Sequence, residues 1–262
     1  MPVQATTSPP LADEANTSVE TATFNAPANS LLVAAWMGSV SGTLTIAGGD
    51  LTWTARATHT SGRARLWTAP CPSAKTGMKV SLAMPEFGYG GFKAWVVTGA
   101  KLAAPVGASG TNSAAADPTT FTGYTSTTIG SLGFCAAYEN NLSGGAGVLP
   151  TSGSDPSDAF SMKDVYGSAG SGLAIRKAAA ATAAGQAQTF TVDAPPAIET
   201  PSWAWAAIEI VPDDSDVPTT PGNLRVTAVA GTSLTVAWDP STDSSGIAGY
   251  GIYLDGAKVG GL

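Results

Sequence analysis

From Thr17 onward, short apolar runs recur along the chain between clusters of Gly, Pro, Asn and Ser. "SVETATF" alternates apolar and polar positions, "NAPANS" turns the chain, and "LLVAAWMGSV" is apolar on both faces. "LTWTARA", "ARLWTA", "MKVSLAM" and "FKAWVVTGA" follow. Runs of this length, about 10 to 15 residues apart with turn residues between them, predict β-strands. A strand that is apolar on both faces, such as Leu31 to Trp36, has no face to give to water. It therefore predicts two packed sheets rather than one solvated sheet.

Residues Ala103 to Thr119 are rich in Gly, Ala and Ser and read as a long surface loop. Strands resume in "STTIGSLGFCAAY", and "ENNLSGGAGVLPTSGSDPSDA" is a second polar loop. "GLAIRKAAA", "AQTFTVD" and "WAWAAIEIVP" complete this region. "KAAAATAAG" is compatible with a strand of small side chains or with one short helical turn. The opening residues 1–16 carry prolines at 2, 9 and 10 and few apolar groups, so they predict an extended arm without a dock on its own domain. Residues 212–220, within "PDDSDVPTTPG", read as a stiff Pro/Asp linker. The expected organisation is an arm (1–16), a β-sandwich (17–211), the linker (212–220) and a second β-module (221–262).

Composition agrees with an all-β chain. Of 262 residues only 12% are charged, and 31 are glycine and 18 proline. The net charge of −7 argues against binding a nucleic-acid backbone, which needs clustered Lys and Arg. No apolar run approaches the 18 or so residues of a membrane-spanning helix. "MPVQATTSPPLADEANTS" lacks the basic and apolar regions of a signal peptide. Cys71 and Cys135 lie in no metal or CxxC spacing, which favours buried free thiols and leaves a pairing across strands open. Trp36, Trp53, Trp67, Trp95, Trp203 and Trp205 fall on the strand-like runs and are expected in cores.

The last segment, "GNLRVTAVAGTSLTVAWDPSTDSSGIAGYGIYLDGAKVGG", resembles the first half of a fibronectin type III domain. Pro221 precedes the first strand, Leu224 and Val226 alternate within it, Trp238 ends the second, and "YGIYLDG" matches the third strand and its turn. The resemblance implies that Trp238 is the core aromatic between two sheets, with Tyr250 and Ile252 starting the facing sheet. A sandwich of this class needs about seven strands, so the domain is expected to be completed by residues beyond Leu262 or by another chain. The larger region, about residues 14–212, is similar to a jelly-roll sandwich of tail proteins from phages that infect actinobacteria, on "TATFNAPANSLLVAAW", "LTWTARA", "WVVTGA" and "AWAAIEIVP".

Residues with chemistry are sparse. The single histidine, His59 in "RATHTSG", has no GxSxG elbow beside it and reads as a loop residue rather than a catalytic base. Glu86 in "MPEFGYGGF", flanked by Phe87, Tyr89 and Phe92, is the best candidate for a glycan contact; otherwise Tyr89 and the glycines shape a tight hairpin. Glu139, Asp155 and Asp158 are candidate carboxylate partners for Glu86 in glycoside hydrolysis, but no strand spacing supports the pair. "DPSTDSSG", Asp239 to Gly246, has oxygens for calcium yet lacks the EF-hand pattern, so Asx turns are the expectation. No catalytic residue, cofactor or metal is expected.

The resemblances together imply a non-enzymatic minor tail or tail-tip protein of a phage virion, assembled in the host cytoplasm. Its expected partners are other tail proteins, copies of itself with a trimer favoured, and a host-surface glycan. The alternative is a carbohydrate-binding module of a secreted polysaccharide-degrading protein.

Overall fold

The computed structural model describes residues 2–6, 8–115, 119–139, 154–161, 170–192, 202–213, 218–243, 247 and 249–261. They fall into two compact units, Pro2–Asp213 and Asp214–Leu262. Among the described residues, all regular structure is β-strand.

In the first unit, nine strands come from residues below 100: β1 (Gln4–Ala5), β2 (Ala12–Glu20), β3 (Phe24–Ala26), β4 (Ser30–Gly38), β5 (Thr45–Gly48), β6 (Thr54–Thr58), β7 (Ala64–Cys71), β8 (Lys75–Met78) and β9 (Val80–Thr98). Their main sheet is antiparallel in the order β1-β9-β4-β7-β6, with β2 and β5 also paired along the long β9. β3 and β8 form a separate ribbon. Seven more strands follow: β10 (Val106–Ala114), β11 (Thr120–Thr125), β12 (Leu132–Glu139), β13 (Ser157–Ser161), β14 (Ser171–Arg176), β15 (Ala187–Thr191) and β16 (Trp203–Ile210). Their sheet runs β10-β16-β12-β14-β13, and β11 pairs β15 in a ribbon.

These two lists are one plan written twice. The order β9-β4-β7-β6 matches β16-β12-β14-β13, the ribbon β3-β8 matches β11-β15, and β1 with β2 occupies the place of β10. The registers agree as well. Leu31 lies opposite Val97 as Leu132 lies opposite Ile210, and Ala34 lies opposite Trp67 as Cys135 lies opposite Ile175. Asn29 and Gly130, the residues before the paired Ser30 and Ser131, both take positive φ (58° and 80°). The region therefore holds two sandwich halves, where the apolar pattern alone leads to one sandwich over 17–211.

Each half has its own apolar layer between sheet and ribbon. Leu32, Ala34, Trp36, Trp67, Leu82, Phe92 and Val96 build the first. Phe121, Cys135, Ala137, Ile175, Phe190, Trp203 and Trp205 build the second. A third, central layer joins the two sheets back to back through Leu31, Val33, Ala35 and Met37 of β4 and Phe134, Ala136 and Tyr138 of β12, with Trp95, Ile208 and Ile210. Its pairing is reciprocal: β4 faces β12, β7 faces β16 as β14 faces β9, and β6 faces β16 as β13 faces β9. This is the isologous arrangement of a two-fold dimer, here within one chain. It also explains the strands that are apolar on both faces, since each main sheet is covered twice.

Several expectations change. Segment 1–16 is not an undocked arm: β1 pairs Thr98 and Val97 of β9, β2 begins at Ala12 against Phe92, and Val3 is buried in the central layer. Val3 with Ala5 and Leu11 packs against the central layer, Pro9 is buried, and backbone hydrogen bonds along β9 hold the rest. Residues 103–119 are not one loop, because β10 runs through them along β16. Its small residues meet the covering ribbon closely; a Cβ on Gly110 would sit 2.0 Å from the Gly123 carbonyl oxygen. "KAAAATAAG" forms bends and a turn, neither strand nor helix. At the expected linker, Pro212 bridges Ala100 and the Asp213 amide donates to Gly99 O (2.8 Å), so both belong to the first unit. Of the six tryptophans, all but Trp53 are buried.

The second unit contains two antiparallel ribbons, β17 (Gly222–Ala230) with β18 (Ser233–Asp239), and β19 (Gly251–Leu254) with β20 (Ala257–Gly261). Asp255 (φ 48°) and Gly256 (φ 82°) make the tight turn between β19 and β20, where two positive φ values match the strand twist. The hydroxyl of Thr219 accepts from the Thr242 amide at 2.7 Å, tying the start of this unit to the segment after β18.

Candidate functional site

The candidate glycan contact lies on β9. The stretch "MPEFGYGGF" does not form a hairpin; β9 is one strand of 19 residues, bulged at residues 84–87 opposite Thr17 of β2. Its glycines are set by their neighbours. A Cβ at Gly90 would lie 2.3 Å from the Trp36 ring, and one at Gly88 would lie 2.0 Å from the Val40 side chain. Phe92 is fully buried in the first half's own core and offers no surface to a sugar, which corrects its assignment as a contact. Glu86 is exposed, Phe87 is 59% exposed, and its ring meets the half-buried Tyr89 edge-on at 5.4 Å. What remains of the cluster is one carboxylate beside one exposed aromatic pair.

The carboxylates proposed as partners of Glu86 are employed elsewhere. Asp155 is buried, pairs with Lys177 Nζ at 2.9 Å, and accepts from the amides of Ala178 and Thr191, both at 2.9 Å. Asp158 pairs with Lys93 Nζ at 2.7 Å. Glu139 is fully buried at the end of β12. A further carboxylate stands out in the structure alone: Glu209, fully buried on β16. It accepts from Thr127 N (2.8 Å) and Oγ1 (2.7 Å), and from Ser131 Oγ (2.6 Å), so it clamps the loop between β11 and β12. The only trace of it in the sequence is a lone acid inside the apolar run "WAWAAIEIVP".

His59 closes the turn between β6 and β7. Its Nδ1 lies 2.8 Å from Ser61 Oγ and 3.1 Å from the Ser61 amide, and partial burial lowers its pKa from the ordinary 6.5. It is a turn residue. Cys71 and Cys135 are both buried and free; Cys71 Sγ donates to Ser73 O at 3.1 Å, and burial pushes the Cys135 thiol well up. The candidate calcium stretch Asp239 to Gly246 lies partly outside the described residues. Among the described residues, no group of three or more His, Cys, Asp or Glu side chains converges, and no helix is long and apolar enough to cross a membrane.

Trp238, Tyr250 and Ile252 are half-buried rather than enclosed. The Trp238 ring meets Tyr250 edge-on at 5.3 Å, and the Tyr250 hydroxyl accepts from the Ser241 amide at 2.7 Å. With Pro221, Leu224, Val236 and Tyr253 they line an open apolar cleft of about 310 Å³. In the same unit Leu224, Val226, Val229 and Leu254 stand 55–77% exposed. The expected core residues are thus together, but a second layer over them is missing among the described residues.

No protein-family model and no solved structure matches this chain. One curated protein, Chitinase A1 of Niallia circulans, is 44% identical over 50 residues. That stretch covers 19% of this chain and spans 7% of the chitinase.

Proposed function

We propose that this chain is a non-catalytic structural component of a phage tail, acting in tail assembly and in contact with the host surface. The observation that supports this best is the architecture of Pro2–Asp213. Two copies of one sandwich half are packed back to back through a largely apolar layer, and Asp155, Asp158 and Glu209 are bound into braces between its segments. A hydrolase places two carboxylates across an open cleft. This arrangement instead gives a rigid platform, with the fibronectin-like module as its neighbour in the chain. Copies of the chain are expected to contact one another in the tail as a trimer. Antibodies raised against the purified chain provide the test: labelling of intact virions at the tail is the expected result, and labelling confined to culture supernatant proteins overturns the reading.

A second reading has one observation in its favour. The 50-residue match to Chitinase A1 fits a carbohydrate-binding module of a secreted polysaccharide-degrading protein. Retention of the purified chain on insoluble chitin, reduced by Phe87→Ala, would favour this reading over the tail.

A further inference from the structure

The reciprocal packing of the two halves makes each residue of the central seam comparable with a counterpart. Lys93 lies opposite Ala35 on β9, and its counterpart, opposite Ala136 on β16, is Ala206. Asp158 lies opposite Ala174, and its counterpart, opposite Leu66, is Ala57. At one end of the seam the contact between a main strand and the facing edge strand is therefore alanine to alanine, and both residues are buried in the central layer. At the other end the same contact is an ion pair, with Lys93 only 5% exposed. The alanine pair shows that this packing needs no charge. Burying an ion pair seldom stabilises a fold over apolar groups, so the exchange calls for another reason.

Around that ion pair lies a polar pocket of about 250 Å³, lined by Thr6, Ser8, Trp95, Ser157 and Arg176 besides the pair itself. The Lys93 ammonium donates to Asp158 and to Pro9 O (2.7 Å), which leaves its third proton unassigned among the described residues. Among the described residues Arg176 makes one long bond, to Lys177 O at 3.4 Å, which leaves most of its guanidinium donors unassigned there. Two cations against one carboxylate leave the pocket with a net positive charge. The guanidinium fork suits a carboxylate in a bidentate contact; Ser157 supplies a neutral partner for a ligand hydroxyl, and Ser8 Oγ, which already donates to Thr6 O and accepts from Val96 N, keeps one lone pair to accept from another.

We propose that this seam pocket binds an acidic sugar, its carboxylate held by Arg176 and Lys93 and its hydroxyls by Ser8 and Ser157. The proposal deepens the host-surface reading above by naming the chemistry of the glycan. Calorimetric titration of the full chain with glucuronate, glucose and acetate tests it. Saturable glucuronate binding is expected, without glucose binding, and weakened roughly tenfold or more by Arg176→Gln. Lys93→Met should do the same, and Arg176, half-exposed, provides the variant whose fold is safe. Absence of glucuronate binding, or binding unchanged in Arg176→Gln, overturns the proposal. Acetate binding as tightly as glucuronate overturns the sugar assignment. None of these results depends on finding the chain in a virion, so the proposal can fail while the tail reading stands.

Discussion

The two halves of Pro2–Asp213 solve one packing problem with different residues. In the first, the large outer aromatic sits on the inner strand β4: Trp36 lies over Gly38 and Gly90, which have no side chains to obstruct it. In the second, the position of Trp36 is taken by Ala137 and that of Gly90 by Trp203. The bulk has moved from β12 to β16, where Trp203 and Trp205 both pack on Phe121 at about 5.3 and 5.2 Å. Strand order and register are retained while individual residues are exchanged. Cores tolerate such exchanges when volume and pattern are conserved, and the seam tolerates even an ion pair where its other end holds alanines.

The comparison can be broken most severely at Trp36. Trp36→Ala should destabilise the first unit by about 3–5 kcal/mol in urea unfolding, because its glycine neighbours cannot refill the space. A loss under 1 kcal/mol would mean that the two halves share their filling after all. Next comes Glu209, whose counterpart on β9 is Val96. Glu209→Val should cost about 3 kcal/mol, since the buried Ser131 hydroxyl and the Thr127 amide and hydroxyl lose their acceptor. Ser131→Ala should cost less than half as much in the same assay.

Cys135 corresponds to Ala34, so Cys135→Ala borrows the other half's solution and should cost only about 1 kcal/mol. In the native chain both thiols should stay silent toward a thiol reagent at neutral pH and react together on unfolding. A fast native reaction would place a thiol at the surface. The smallest effect belongs to His59, in the turn between β6 and β7. Its folded pKa is lowered, so its contribution is complete above its ordinary 6.5 and is lost as pH falls below that value. Stability should decline slightly on acidification from about pH 7 to 5, and His59→Asn should flatten that part of the profile.

Strand positions were legible in the sequence wherever a run was apolar, as in Leu31 to Trp36 or "WAWAAIEIVP". β10 was not, because its Gly, Ala and Ser residues carry no alternation; they are small to admit the ribbon above them, and a pattern of burial by closeness looks like a loop. The N-terminal strands were missed for a similar reason, since β1 docks through backbone pairing and a few scattered apolar side chains, Val3, Ala5 and Leu11. The repeat itself left a short trace, "NSLLVAAW" beside "GSLGFCAAY", but exchanges such as Trp36 for Ala137 erase most of the identity between halves. At the candidate site, Phe87 and Tyr89 meet while Phe92 turns into the core, because the alternation through a glycine-rich stretch depends on which neighbours the glycines accommodate. The seam pocket was invisible: Lys93, Asp158 and Arg176 are far apart in the chain and meet only after the halves pack.

The reciprocal seam also bears on how the chain folds. Every strand pair of a main sheet lies within its own half, so the first sheet can form before the second has left the ribosome. The last step is the closure of one half on the other, and the face that closes is matched by an equivalent face on every other copy. At high concentration, or when the crossing between residues 100 and 105 is shortened, a half can close on its neighbour's partner instead of its own. The product is a swapped dimer with the same seam, the same cores and the same pockets, distinguishable from the monomer by its mass.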